Sequence, residues 1–403
     1  MTPAFRRLWI AGLISDTGDW LLLVSLPIFV YGLTGSTMST AGAFLAGLAP
    51  PVLLGPLGGW LADRFDRRRL LVAITLLQAC ALLPLLTVST QRDLPQLYAV
   101  IALQSALLTL FEPAKSALLP TLVAPERLVS ANSLVGLNAN LARLAGGPLG
   151  GLLLATSGLP AIVAVDAVSF LVAAALIWRL PASPATRTSA EHEMGALAAL
   201  KRVKSVLAVT ALAGVAQGIF VVLFVVFVAR ELHGGDAQIG LLRGIQAVGA
   251  IVAGLLLAKA RRAPAPGRLA AWALAAFGVL AAVTWNAPRL TTGLALYLVL
   301  FALVGAPAVA VMTGLLSTLQ AAVPDRVRGR VIAAFVAVFE GCSGLGMLLA
   351  GALGDRVGVV PLLNLQAALY VTAGIVLWLT GGWWRRTGSA RLRSGEADRV
   401  AAW

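Results

Sequence analysis

Twelve apolar runs, each long enough to cross a bilayer, constrain this chain more than any other feature of its sequence. They fall at roughly 8–32, 38–62, 70–90, 97–119, 130–156, 159–180, 206–231, 237–258, 269–286, 290–319, 331–353 and 360–380. A helix needs about 20 apolar residues to span hydrocarbon, and inside lipid a helix satisfies its own backbone, so each run reads as a transmembrane helix. A water-soluble fold could not hide this surface: 59% of the 403 residues are apolar and 12% charged, and the mean hydropathy is +0.90. Soluble domains hold about 45–50% and 25%.

The basic residues separate the runs instead of gathering on one solvated face, so the net charge of +14 argues for membrane topology and against nucleic-acid binding. With the N-terminus inside, Arg6, Arg7, the Arg64 to Arg69 group, Lys201, Lys204, Arg261, Arg262, Arg326, Arg328, Arg330 and the C-terminal arginines all face the cytoplasm. The outer loops keep Arg92, Arg230, Arg289 and Arg356. The positive-inside rule therefore places both termini in the cytoplasm. Asp16 and Asp19 inside the first run, and the missing small-residue cleavage pattern, make that run a span and not a removable signal. Cys80 and Cys342 sit within apolar runs, read as small core residues, and give neither a disulfide framework nor a metal site.

Near the middle, residues 181–204 form the longest hydrophilic stretch, with an acidic-to-basic pattern from Glu191 that predicts a short surface helix in a cytoplasmic linker. The two sides echo each other. Val123-Ala-Pro-Glu-Arg-Leu returns as Ala322-Val-Pro-Asp-Arg-Val, and Gly59-Trp-Leu-Ala-Asp-Arg-Phe-Asp-Arg-Arg returns as Gly254-Leu-Leu-Leu-Ala-Lys-Ala-Arg-Arg. The expected fold is an all-α membrane protein of twelve transmembrane helices in two six-helix halves, 1–180 and 205–382, related by pseudo-two-fold duplication, with a basic tail over 383–403.

The loop after the second span carries Gly59, Asp63, Arg64, Arg67 and Arg68 in the spacing G-x-x-x-D-R-x-G-R-R, and on these residues the chain resembles the major facilitator superfamily over nearly its whole length. Asp66 stands where that pattern has Gly, so a left-handed turn there would have to be made by an acidic residue. The resemblance implies a gating role for this loop, a glycine-rich interface of helices 2, 5, 8 and 11, and a cavity lined by helices 1, 4, 7 and 10. In the fifth span, Ala142-Arg-Leu-Ala-Gly-Gly-Pro-Leu-Gly-Gly looks like the G-P-x-x-G-G motif of the exporter branch, the drug:proton antiporters, and points to Gly147, Pro148, Gly150 and Gly151. Glu112-Pro-Ala-Lys and Leu128-Val-Ser-Ala-Asn-Ser-Leu resemble the subgroup of macrolide and siderophore exporters, which also holds lysophospholipid transporters.

Charged residues inside spans cost about 2.5–3.5 kcal/mol each at the bilayer centre and persist where they pair or work. Asp16, Asp19, Arg143, Asp166 and Glu340 are the candidates for proton coupling. Asp19, near the middle of the first span, leads, because a carboxylate in a partly dry cavity can load and release a proton; Asp16 and Glu340 follow. Arg143 needs a carboxylate or water, with Asp16, Asp19 and Asp166 as candidate partners, and Glu112 with Lys115 reads as a local pair. Trp20, Asn138, Gln217, Phe220 and Gln246 are candidates for the cavity lining, against the alternative of helix packing.

No phosphate-binding loop, zinc-protease motif or nucleophile elbow occurs, and the histidines are His192 and His233, outside the spans, so no enzyme is expected. The expectation is a secondary transporter, driven by an ion gradient, that exports a small amphipathic or hydrophobic compound by proton antiport. Its alternatives are a lipid flippase or importer of the same fold, or a scaffold or sensor that does not transport. Expected partners are the substrate, protons and the bilayer, with no cofactor, no nucleic acid and a monomeric chain. With 27 arginines against four lysines the sequence suggests a GC-rich bacterial gene, and hence the plasma membrane.

Overall fold

The computed structural model describes residues 2–124, 127–182, 203–259, 265–323 and 325–380, without the side chains of 52, 55, 56, 58, 59, 62, 63, 129 and 325–327. The expected linker helix, most of the linker, the 383–403 tail and the side chain of Asp63 lie outside this set. Among the described residues the chain is helical, with no strand. Its elements are α1 (Pro3–Thr34), α2 (Thr37–Arg64), α3 (Arg67–Leu82), α4 (Leu94–Leu122), a stretch Leu128–Trp178, α7 (Lys204–Arg230), α8 (Asp236–Lys259), α9 (Pro266–Asn286), α10 (Leu294–Ala322), α11 (Asp325–Val357) and α12 (Val359–Thr380).

The stretch Leu128–Trp178 breaks at Gly158, whose φ of 72° and ψ of −176° suit a residue without a Cβ, and it is described as α5 (128–157) and α6 (159–178). Contacts with α1 show that the chain reverses at this point. Asn138 Nδ2 donates to Trp9 O at 3.0 Å and Gly150 lies against Leu21, so α5 runs alongside α1 in the same direction. Arg7 donates to Arg179 O at 3.0 Å and Asp166 lies against Gly18, so α6 returns the opposite way. Ten helical stretches among the described residues are long and apolar enough to cross a membrane; α2 is not one of them, and α5 with α6 counts once.

The helices before the linker pack chiefly on one another, as do those after it: α1 on α5, α2 on α4, α7 on α11, α8 on α10 and α9 on α12. The two groups meet along α5 with α8 and along α2 with α11. Large apolar side chains stay on the outside, including Leu53, Trp272, Leu256 and Leu379, a surface that suits lipid and would be unstable in water. Cys80 belongs to that exterior and Cys342 is half-buried, so neither is a core residue as the sequence suggested. In lipid an apolar run can face outward as readily as inward.

The start of α3 corrects another expectation. Asp66 has φ −59°, not a left-handed conformation, and its carboxylate accepts from Arg69 N at 2.9 Å as the N-cap of α3. Of the neighbouring arginines, Arg67 is buried and donates to Ala117 O at 3.2 Å, while Arg68 donates to Leu180 O at 3.0 Å and lies over Trp178. Both tie α3 to the ends of its own neighbours, α4 and α6. Arg64 lies over the Trp60 ring, 5.2 Å from its centroid.

The glycines of α5 sit on two faces. Gly146 and Gly150 face α1, where a Cβ would meet Trp20, Leu21 and Ser25, and Gly147 and Gly151 face Gly240 and Gly244 of α8. Pro148 packs on Gly244. The motif thus places α5 between α1 and α8 at backbone contact, although Gly147-Pro-Leu-Gly-Gly is one residue tighter than G-P-x-x-G-G. Gly147→Val should force the two backbones apart, since even its Cβ would lie 3.0 Å from Gly244 N. We expect a loss of about 1–3 kcal/mol, read as a lower thermal unfolding midpoint, with no change for Leu149→Ala on the exposed side.

Candidate functional site

A cavity of about 620 Å³ lies beside α1 and is walled by α1, α2, α3, α4 and α5, with Met347 of α11 closing one side. Most of its wall is apolar, from Leu22, Leu26, Phe44, Leu48, Leu82 and Leu108. The polar groups gather toward one part: Asp16, Asp19, Gln104, Ser105, Glu112 and Lys115. This is the composition of a site that binds by shape and fixes orientation with a few charges. It departs from the expected lining by helices 1, 4, 7 and 10, because α7 turns its aromatic residues into solid packing. Phe220, Phe224 and Phe227 interlock with Trp285, Phe301 and Tyr297 at ring-centroid distances of 4.9–6.2 Å.

Of the expected lining residues, Trp20 faces the cavity. Asn138 is buried against Trp9, Phe220 belongs to the aromatic cluster, and Gln217 accepts from Tyr370 OH at 3.2 Å. Gln246 is buried, and its Nε2 has no protein partner. The carboxylates are distributed more tellingly. Lys115 pairs with Glu112 at 2.9 Å, as expected. Asp166, Asp16, Lys115 and Glu112 are the charged groups whose fields reach Asp19. Asp166 is fully buried in α6, accepts from Ser169 Oγ at 3.1 Å, and packs on the backbone of Gly18, leaving Oδ2 with no protein donor. Only a glycine next to Asp19 lets Asp166 approach so closely. Glu340 is half-buried on α11 and is not part of the cavity wall.

Arg143 does not pair with Asp16, Asp19 or Asp166. Its guanidinium lies over the Trp20 ring at 5.8 Å and donates to Asn140 Oδ1 at 3.4 Å. For Asp19 helical geometry is a reason: Trp20 follows it by one residue, about 100° around α1, so the side chain that meets Arg143 is not on the side of α1 that carries this carboxylate.

At the end of the bundle remote from the N-terminus lies a network that the sequence reading did not single out. Arg230 of α7 donates to Tyr31 OH at 2.6 Å, to Gly35 O at 2.9 Å and to Asp355 Oδ1 of α11 at 2.9 Å. Asp355 Oδ2 accepts from Thr37 N at 3.1 Å and Thr37 Oγ1 at 2.9 Å. These bonds join the helices before the linker to those after it. Positions 31 and 230 are 199 residues apart, the same spacing as Val123 and Ala322 in the internal echo, and that was an available hint.

Comparison with known proteins completes the description. The family model described as transmembrane secretion effector matches residues 1–381. An uncharacterized MFS-type transporter of Bacillus subtilis, YfiS, is 28% identical over 382 residues, 90% of this chain and 89% of that one. The enterobactin exporter EntS of Citrobacter koseri is 27% identical over 408 residues, 95% of this chain and 93% of that protein. A bacterial homologue of the iron transporter ferroportin, solved in an inward-facing state, has the same fold, with a TM-score of 0.74 at 18% identity over 95% of this chain and 100% of that one.

Proposed function

Because this chain belongs to the transmembrane secretion effector family of the major facilitator superfamily, we propose that it exports a small amphipathic compound in exchange for protons. The observation that carries this reading is the closeness of Asp19, on the cavity wall, to Asp166, which is buried against the adjacent Gly18 with one oxygen unpartnered. Two carboxylates in such a place are unstable if both are charged, so the pair holds a proton and gives it up when the cavity changes its exposure. Asp16 and the Glu112–Lys115 pair provide polar steps along the same wall. The kinship with an enterobactin exporter supports the outward direction.

The topology we propose has twelve spans, counting α2 and taking α5 and α6 separately, in two six-helix halves with both termini in the cytoplasm of a bacterial plasma membrane. Matched pairings support the duplication: α1 with α5 corresponds to α7 with α11, and α5 with α8 to α11 with α2. On this orientation the Arg230 network closes the outer face, and the conformation described is inward-facing. Asp63, one turn before the cap of α3, keeps the gating role that its motif implies.

Counterflow in proteoliposomes tests transport itself. Vesicles loaded with an unlabelled member of a panel of neutral, acidic and basic fluorescent amphiphiles should take up the labelled member transiently above equilibrium. A chain that only scaffolds or senses would give no overshoot with any of them.

A further inference from the structure

The end of α6 beside the N-terminus gathers arginines from three helices. Arg7 of α1 donates to Arg179 O and Arg68 of α3 donates to Leu180 O, each at 3.0 Å, so both guanidiniums are fastened to neighbouring carbonyls of one short segment. Arg179, whose carbonyl Arg7 holds, turns its own side chain outward, with no hydrogen bond or ion pair among the described residues. Arg68 also lies over the Trp178 ring, 5.2 Å from its centroid, and that indole is 59% exposed. Arg6 and Arg69, exposed at the adjoining positions, add to the same field.

No carboxylate pairs with Arg7, Arg68 or Arg179 among the described residues. Asp66, the acidic residue next to this group in the chain, accepts from Arg69 N. The carbonyl end of a helix carries about half a negative charge, so the end of α6 offsets only a fraction of three guanidiniums. The bonds to Arg179 O and Leu180 O therefore hold Arg7 and Arg68 in place without neutralising them. An exposed indole at a helix end belongs at the level where head groups meet hydrocarbon, which sets these cations at the depth of lipid phosphates.

We propose that Arg7, Arg68 and Arg179, with Trp178, bind the phosphate of an anionic phospholipid. On the proposed topology this is a lipid of the cytoplasmic leaflet. Guanidiniums offer forked donors to phosphate oxygens, and basic groups between helices at that face suit anionic head groups. The Trp178 ring gives the upper part of an acyl chain an apolar surface to lie on. All three helices belong to the part of the chain before the linker, so a bound lipid braces that part without crossing its seams with the other.

The test is native mass spectrometry of the full chain from dodecyl maltoside micelles, titrated with phosphatidylglycerol or with phosphatidylcholine of the same acyl chains. The wild type should hold one phosphatidylglycerol about tenfold more tightly than phosphatidylcholine. Arg7→Gln and Arg179→Gln should each cut that preference to about twofold and together abolish it, whereas the two lysine substitutions together should keep part of it. Arg179→Gln removes no bond of the folded chain, so its lipid-free thermal unfolding midpoint should match the wild type and show that it is folded. Arg92→Gln with Arg289→Gln, exposed at the other end of the bundle, should keep the full preference. Equal affinity for the two lipids in the wild type, a preference that survives Arg7→Gln with Arg179→Gln, or the same loss in Arg92→Gln with Arg289→Gln overturns the proposal. Excess inorganic phosphate should leave the lipid bound; full displacement assigns the site to a free anion and overturns a lipid site. The readout needs no substrate, so its failure leaves export standing, and absent counterflow leaves the lipid site standing.

Discussion

Asp19→Asn should abolish movement of substrate against its gradient while leaving downhill exchange near the wild-type rate. The amide keeps the shape of the carboxylate and can still hydrogen-bond, but it cannot carry a proton. Asp19 stands on the cavity wall, whereas Asp166 is buried against the adjacent Gly18, accepts from Ser169 and does not line the cavity, so on the proposed mechanism its proton would pass through Asp19. Asp166→Asn should therefore impair coupling too, and the double variant should be no worse than Asp19→Asn alone, since groups that act as one unit are not additive. Uptake driven by a pH gradient in vesicles measures this. Wild-type accumulation in Asp19→Asn would transfer the role to Asp16 or Glu340.

The second large effect is conformational. Arg230→Ala removes three bonds at once and leaves Asp355 with Thr37 alone, so this end of the bundle, the outer one on the proposed topology, should open more readily. The ion pair itself is worth little, because both side chains are about 40% exposed (40% and 41%), and solvent screens it. The bonds to Tyr31 OH and Gly35 O, made by a charged donor, contribute more, and together the loss should move the equilibrium between inward- and outward-facing forms about tenfold. Spin labels on Arg92→Cys and Arg289→Cys, both exposed beyond the outer helix ends, in a chain with Cys80 and Cys342 replaced by serine, report this as a longer distance population. An unchanged distance distribution would remove the network from the gate.

The bilayer made the helices legible, because an apolar run of fixed length admits few alternatives, and even the break at Gly158 falls between two predicted runs. Composition also marked the seams: Gly147 and Gly151 were visible as a small-residue pair before their partner, Gly240 and Gly244, was known to face them. What stayed hidden was orientation around each helix axis. A helix that is apolar all round carries no stripe to say which side turns inward, and α7 is of this kind, its Phe220 filling a core where a cavity was expected. For the same reason the sequence could not tell that Trp20, and not Asp19, would face Arg143. Long-range pairing was equally invisible: nothing local in the text around Arg230 or Asp355 says that they meet, 125 residues apart. Asp66 was misread because its motif position suggested a turn, when an aspartate before a helix more simply caps it.

The central claim, exchange of protons for substrate, is tested most directly by recording internal pH in proteoliposomes that hold a trapped pH dye and an acidic interior. Adding a compound that passes the counterflow test should make the interior more alkaline in step with accumulation of that compound, and a protonophore should prevent accumulation; Asp19→Asn should show neither response. Accumulation without any change in internal pH, or unaffected by the protonophore, would contradict proton antiport.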